Sequence, residues 1–171
     1  MTTSDILVDA YSRISEEVAA VLEDVRPAVL AWQPDPQSNS IAWLIWHLTR
    51  VQDDHLAAGF HRPQIWLEGG WADRFGLPFA AEATGYGQSP EDVARVRPDV
   101  ALLRGYFDAV ADRTAQLVGA VTDADLDRIV DERWDPPVSL AVRLVSVVAD
   151  ALQHAGQAAY LKGLAARAGV S

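Results

Sequence analysis

Three side chains in two apolar stretches of this chain have the types and the spacing to hold a metal ion. Asp150 and His154 stand four residues apart, which makes them neighbours on one face of a helix. Both interrupt an apolar run that includes Val147, Val148, Ala149, Ala151, Leu152 and Ala155. A buried carboxylate is unfavourable unless it is paired or coordinates a cation. Carboxylate–histidine pairs at helical spacing are a way in which bundles build metal sites. Far upstream, His47 lies between Trp46 and Leu48 in the most apolar segment of its helix. One inward histidine from a neighbouring helix would complete a set of two histidines and one carboxylate. Such a set leaves a position open for water or substrate, which is the catalytic arrangement for zinc. Zinc is the first expectation; the ligand types also suit iron, nickel or cobalt. The competing expectation is structural, with His154 bonded to Asp150 and His47 bonded to a backbone carbonyl.

Other polar residues near these three are placed by the helical rise. Asp54 and His55 follow His47 by seven and eight residues, which separates them from it by about 10–12 Å along a straight helix. They are too far away to share its ion. Asp54 either supports the site from outside or faces substrate, or, as the first expectation, pairs with Arg50, four residues earlier, at the surface. His61 reads as a loop or cap residue. Arg143 precedes Asp150 by two turns, so it either binds substrate above the metal or pairs at the surface. Gln157, one turn beyond His154, either orients ligand or substrate or is an ordinary exposed glutamine.

The elements that must carry these residues are helices. From Ser4, read as an N-cap, apolar residues recur at three- and four-residue steps through Ile14, Val18, Val21, Leu22 and Val29, the signature of an amphipathic helix; Pro27 kinks or ends it. A second helix starts at the cap residues Ser38-Asn39-Ser40 and runs to about Gly59. It is apolar almost all round over its first half, as expected of a central helix or a partner interface. Residues 61–89 are broken by glycines yet rich in aromatics, including Trp66, Trp71, Phe75 and Phe79. They read as a packed cover with a helical turn near Trp71–Phe75. Ser89-Pro90 starts a short helix, Pro98 opens a third long helix to about Val118, and Thr122 caps a brief turn. Trp134 to Pro137 is rigid and extended. Ser139 then caps a last helix reaching about Ala166. Strand-like alternation is weak everywhere. Four long helices imply an all-α four-helix bundle, expected as a single domain over residues 1–171. Trp43 and Trp46 are expected in the core or a dimer interface. Trp66 and Trp71 are expected to pack the long loop or to wall a ligand cavity.

Composition excludes several functions. With 14 basic against 24 acidic residues the net charge is −10, a poor match to nucleic-acid phosphates or an anionic membrane. The absence of cysteine excludes disulfides, thiolate metal sites and a cysteine nucleophile. No apolar run is long enough to span a membrane, and the first residues lack a signal pattern, so the expected location is the cytoplasm.

The segments SNSIAWLIWHLTRVQDDHLA (38–57), WADRFGLPF (71–79), GYGQSPEDVA (85–94) and DERWDPPVSLAVRLVSVVADALQHAGQAAYLKGL (131–164) resemble the DinB superfamily of metal-binding four-helix bundles. Within it they look like the actinobacterial mycothiol S-transferase branch. His47 matches the family's histidine on the second helix, His154 matches the last histidine, and Gly156-Gln157 matches the dipeptide that follows. Asp150 stands where many members have histidine and where mycothiol-dependent maleylpyruvate isomerases have glutamate. The resemblance implies a metal at His47, Asp150 and His154. It also implies transfer of the thiol of mycothiol, as co-substrate, to an electrophile, in the manner of a detoxifying transferase. A divalent ion would favour the reactive thiolate, so the protein need not supply its own nucleophile. Arg143 and Gln157 are the candidates for contacting thiol or substrate. The alternatives are a metal-assisted isomerase or hydrolase on the same site, or a non-catalytic bundle that binds a small molecule. Family habit and the apolar second helix imply a homodimer.

Overall fold

The computed structural model describes residues 1–170. Within them the chain runs α1 (Thr3–Leu22), α2 (Pro27–Leu30), α3 (Ile41–Gly59), α4 (Ile65–Glu68), α5 (Trp71–Phe75), α6 (Pro90–Val93), α7 (Val100–Gly119), a short 3-10 turn (Asp123–Asp125), β1 (Ile129–Asp131), β2 (Val138–Ser139) and α8 (Leu140–Arg167). The long helices α1, α3, α7 and α8 form the bundle. α3 packs between α7 and α8, and α1 packs against the same two, so α1 and α3 face each other across the diagonal. No described helix is long and apolar enough to cross a membrane.

The helix boundaries follow from capping chemistry. α1 is capped by Thr2, whose hydroxyl accepts from the Asp5 amide while Asp5 answers to the Thr2 amide. This reciprocal box displaces the expected cap at Ser4 by two residues. Pro27 opens a helix of its own, α2, as a proline at the first helical position can. Ser40 and Ser139 cap α3 and α8 as expected. α7 is capped by Asp99, one residue past the expected Pro98, because the Asp99 carboxylate reaches the Leu102 amide.

α3 is the centre of the molecule. Residues 41 to 50 are all buried, so its apolar surround is satisfied inside the chain, and that character is no argument for a partner. Trp43 and Trp46 belong to this core. The segment between α3 and α7 covers one side of it. Trp66 and Trp71 are buried there, Trp66 meeting Trp46 edge-on at 6.4 Å between ring centres and Tyr106 of α7 at 5.0 Å. This is loop packing of the expected kind.

One element departs from the all-helical expectation. β1 and β2 form a small antiparallel hairpin, pairing Ile129 with Ser139 and Asp131 with Val138. Two- and three-residue strands are too short to leave a periodic signal. The hairpin fixes the start of α8, where the Leu140 amide donates to Arg128 O and the Ala141 amide to Leu126 O.

Candidate metal centre

His47 sits in the second turn of α3, and Asp150 and His154 lie in the middle of α8, the helix packed against it. One donor atom from each of the three lies within 4.8 Å of the others. The imidazoles of His47 and His154 meet edge to face with centres 4.7 Å apart, and Trp43 stacks on His47 at 4.5 Å with the planes 12° apart. His47 is 6% exposed; the side chains of His154 and Asp150 are 18% and 34% exposed, so the cluster opens to solvent on the α8 side.

Both histidines have one ring nitrogen tied down. His47 Nδ1 is 2.6 Å from Thr84 O, and His154 Nδ1 is 2.8 Å from the carbonyl of Asp150. A carbonyl can only accept, so each Nδ1 carries a proton, and Nε2 is the ring nitrogen left to ligate. This is the tautomer in which metal-binding histidines are held by their outer partners. Burial pushes the His47 pKa below its usual 6.5, with the neighbouring His154 acting in the same direction and the Thr84 bond and Asp150 opposing. His47 is therefore neutral at physiological pH.

Asp150 supplies the most telling atom. Its Oδ2 is buried, accepts no hydrogen bond, and lies 3.5 Å from His154 Nδ1. A buried carboxylate oxygen without a partner is rare and unfavourable. A divalent cation would satisfy it together with the two Nε2 lone pairs. Tetrahedral zinc ligands stand roughly 3.4 Å apart, so modest side-chain adjustment would bring the donors into range. Both structural expectations for the histidines, a backbone carbonyl for His47 and a bond within α8 for His154, are thus met through Nδ1, which leaves each Nε2 without a hydrogen bond.

The backbone that presents Thr84 O depends on a glycine. Gly85 has φ +97°, and a Cβ there would stand 2.7 Å from His47 Nδ1, 3.0 Å from Trp46 and 3.1 Å from Trp43. Gly85→Ala should strain the loop by ~1–3 kcal/mol and push His47 from its place. Loss of such an outer support should weaken the affinity of the cluster for a divalent ion by roughly 10–100-fold, measured by competition with a chromophoric chelator. Wild-type affinity and melting temperature in this variant would remove Gly85 from the site.

Two turns along the same helix pair, a second polar cluster forms away from the three donors. Arg143 donates to Asp131 of the hairpin at 2.8 Å and lies 3.5 Å from both ring nitrogens of His55. Asp131 is also gripped by Arg133, whose bonds hold the carboxyl well below the usual carboxylate range. Arg143 is therefore an ion-pair partner of the hairpin, mostly buried rather than at the open surface. Gln157 is exposed, as is His61, which ends α3 in a left-handed turn with φ 53°. Burial lowers the His55 pKa, the Arg143 guanidinium lowers it further, and Asp54, Asp150 and Asp131 oppose this. The unfolded chain binds this proton near pH 6.5; the folded chain binds it only at lower pH. The His55 contribution to stability is thus intact above about pH 6.5 and lost as pH falls through the folded value. Between pH 7 and 5 the melting temperature of the wild type should fall more than that of His55→Gln; parallel curves would contradict the assignment.

The expected surface pair of Arg50 with Asp54 does not form. Arg50 is fully buried and faces Asp53, while Asp54 accepts from Gln64 and lies 3.5 Å from His55. The long loop covers the Arg50 side of α3, which the local spacing could not foretell.

Comparison with known proteins agrees with the architecture. The profile of the DinB superfamily matches residues 10–158. The chain belongs to the DinB superfamily. A crystal structure of a conserved protein from Enterococcus faecalis is similar at 30% identity and TM-score 0.88, over 95% of this chain and 96% of that one. No curated protein matches. The matched stretch includes all three candidate ligands. Sequence spacing singled out those three candidates but missed the surrounding roles of Thr84, Gly85, Arg50 and Asp53. Of these only Gly85, in the run Gly-Tyr-Gly, carried a local sign of close backbone approach.

Proposed function

We propose that this DinB protein is a divalent-metal-dependent thiol S-transferase that joins a low-molecular-weight thiol of the mycothiol type to electrophiles. The observation that carries the reading is the orphaned Asp150 Oδ2 beside two imidazoles whose Nδ1–H groups are already committed. His47, Asp150 and His154 would hold the ion, with zinc the first choice. Bound there, it would lower the pKa of a thiol ligand so that the thiolate predominates near neutral pH.

The chain's own residues set the conditions. Two neutral histidines and one carboxylate leave a divalent centre with a net charge of +1, which favours an anionic sulfur ligand. The Nδ1 tethers and the Trp43 stack orient the donor set before substrate arrives. The partly exposed edge formed by Asp150 and His154 leaves a side from which thiol and electrophile can approach. With no cysteine in the chain, the attacking sulfur comes from the co-substrate. Its electron pair forms the new carbon–sulfur bond, the displaced pair leaves with the departing group or settles on the adduct, and the thiol proton passes to that group or to solvent. Alignment of the two small molecules supplies rate by proximity. The choice of mycothiol rests on the similarity of residues 38–57, 71–79, 85–94 and 131–164 to that branch of the family.

The test is conjugation of a generic electrophile such as monochlorobimane by zinc-loaded protein, with mycothiol and with glutathione. Turnover with mycothiol, weaker turnover with glutathione, and a sulfur-to-metal charge-transfer band on adding thiol to the cobalt form are expected. Turnover of an ester or amide without added thiol would favour a hydrolase instead, and failure to bind zinc or cobalt would leave a non-catalytic bundle.

A further inference from the structure

Arg50 stands one turn beyond His47 on α3 and is completely buried. Its guanidinium donates from Nε to Ala83 O at 3.1 Å, from Nη2 to Glu82 O at 3.5 Å, and from Nη1 to Gln64 Oε1 at 3.0 Å. The next carbonyl along, Thr84 O, takes the Nδ1–H of His47, and the preceding one, Ala81 O, takes the indole N–H of Trp66 at 2.9 Å. Four successive carbonyls, from 81 to 84, thus each meet a side-chain N–H from α3 or α4. Trp43 extends the row by donating to Gln88 Oε1 at 2.7 Å.

The chemistry of this strap suits an arginine in particular. The guanidinium is a planar fork with donors at fixed angles, so it can grip two adjacent carbonyls at once, whereas an ammonium offers a single point charge. Burying such a cation is unfavourable without an anion, and Asp53 stands 3.8 Å from Nη1. Arg50 makes no hydrogen bond or ion pair with the three candidate ligands, yet the backbone it grips is the backbone that holds His47.

We propose that Arg50 is a positioning residue that acts through residues 82–84 to set the tautomer and ring plane of His47, leaving Nε2 as the outward donor. The value of this to a metal centre rests on the reading of His47 as a ligand, but the tautomer itself can be read without metal. Loosening the strap lets Thr84 O drift, removes the preference for a proton on Nδ1, and allows the Nε2–H form, whose Nε2 cannot ligate.

The experiment is long-range nitrogen–proton correlation NMR on metal-free protein labelled in histidine, paired with cobalt titration. Wild-type His47 should show the Nδ1–H form. Arg50→Lys, which keeps the charge beside Asp53 but loses the fork, should show a mixture of tautomers and bind cobalt about 10–100-fold more weakly. Should Arg50→Lys fail to fold, the double variant Arg50→Gln/Asp53→Asn removes both charges together and carries the same expectation. Arg128→Lys is the control, since Arg128 also grips a buried carbonyl, Gly59 O at 2.9 Å, on the far end of α3. It should lose stability without moving the tautomer or the cobalt affinity. Folded Arg50 variants with a wild-type His47 tautomer and wild-type cobalt affinity would overturn the proposal. A tautomer shift in a protein whose wild type binds no cobalt would uphold Arg50 and sink the metal reading instead.

Discussion

Under the proposed thiol-transferase reading, His154→Ala should abolish stoichiometric zinc binding and thiol transfer together while leaving the metal-free fold intact. His154 is the donor least entangled with the rest of the structure. Its Nδ1 bonds only the Asp150 carbonyl in its own helix, and its side chain is partly exposed, so alanine, a strong helix former, replaces it at little cost. The loss to the metal is large. Structural zinc sites with four ligands bind with about 10–16 kcal/mol, roughly 3 kcal/mol per ligand, so removing one of three protein donors should weaken binding ~100-fold or more. Elemental analysis after dialysis, the conjugation rate and the melting temperature of the metal-free chain make the measurement. Full zinc content and an undiminished rate in this variant would remove His154 from the site.

The largest effect on stability is expected from a residue outside the metal cluster. Asp53 is buried in the second half of α3 and accepts three hydrogen bonds, from the Ile65 amide at 2.9 Å, the Trp66 amide at 2.8 Å and the Tyr106 hydroxyl at 2.9 Å. It is also the anion facing Arg50. Burial pushes the Tyr106 phenol well above its usual value, so that hydroxyl remains a donor at any ordinary pH. Asp53→Ala would leave the Arg50 charge buried without a counter-ion and the first two amides of α4 uncapped. Removing one member of a buried ion pair costs about 3–5 kcal/mol. For a domain of this size that is roughly 10 °C in melting temperature. Asp108→Ala is the comparison, since Asp108 is exposed on α7 away from this network, and should change stability by less than ~0.5 kcal/mol. Equal melting temperatures for the two variants would show that the buried network does not hold the loop down. Because that network leads through Arg50 to residues 82–84, Asp53→Ala should also loosen the support of His47.

The helical frame and the three candidate ligands were legible in the chain because both are written in local spacing. A stripe repeating every three to four residues reports a buried helix face whatever it packs against. Asp150 and His154 therefore declare themselves as neighbours before any tertiary contact is known. His47 stands out because its polarity contradicts its surroundings. Arg50 shows where that logic stops. Its distance from Asp54 predicts a surface pair, and the same arginine becomes a buried clamp once residues 60–88 fold over it.

The supports of the site are of the second kind. Thr84 contributes a carbonyl, which every residue possesses, and Gly85 contributes the lack of a Cβ. Arg143 finds its anion in Asp131, on strands too short to show a period. Helix identity and ligand type depend on residues a few positions apart, so they can be read along one dimension. Which carbonyl faces which imidazole, and which charges end up dry, depend on how a thirty-residue cover lies against two helices. Those contacts form only when the backbone closes on itself.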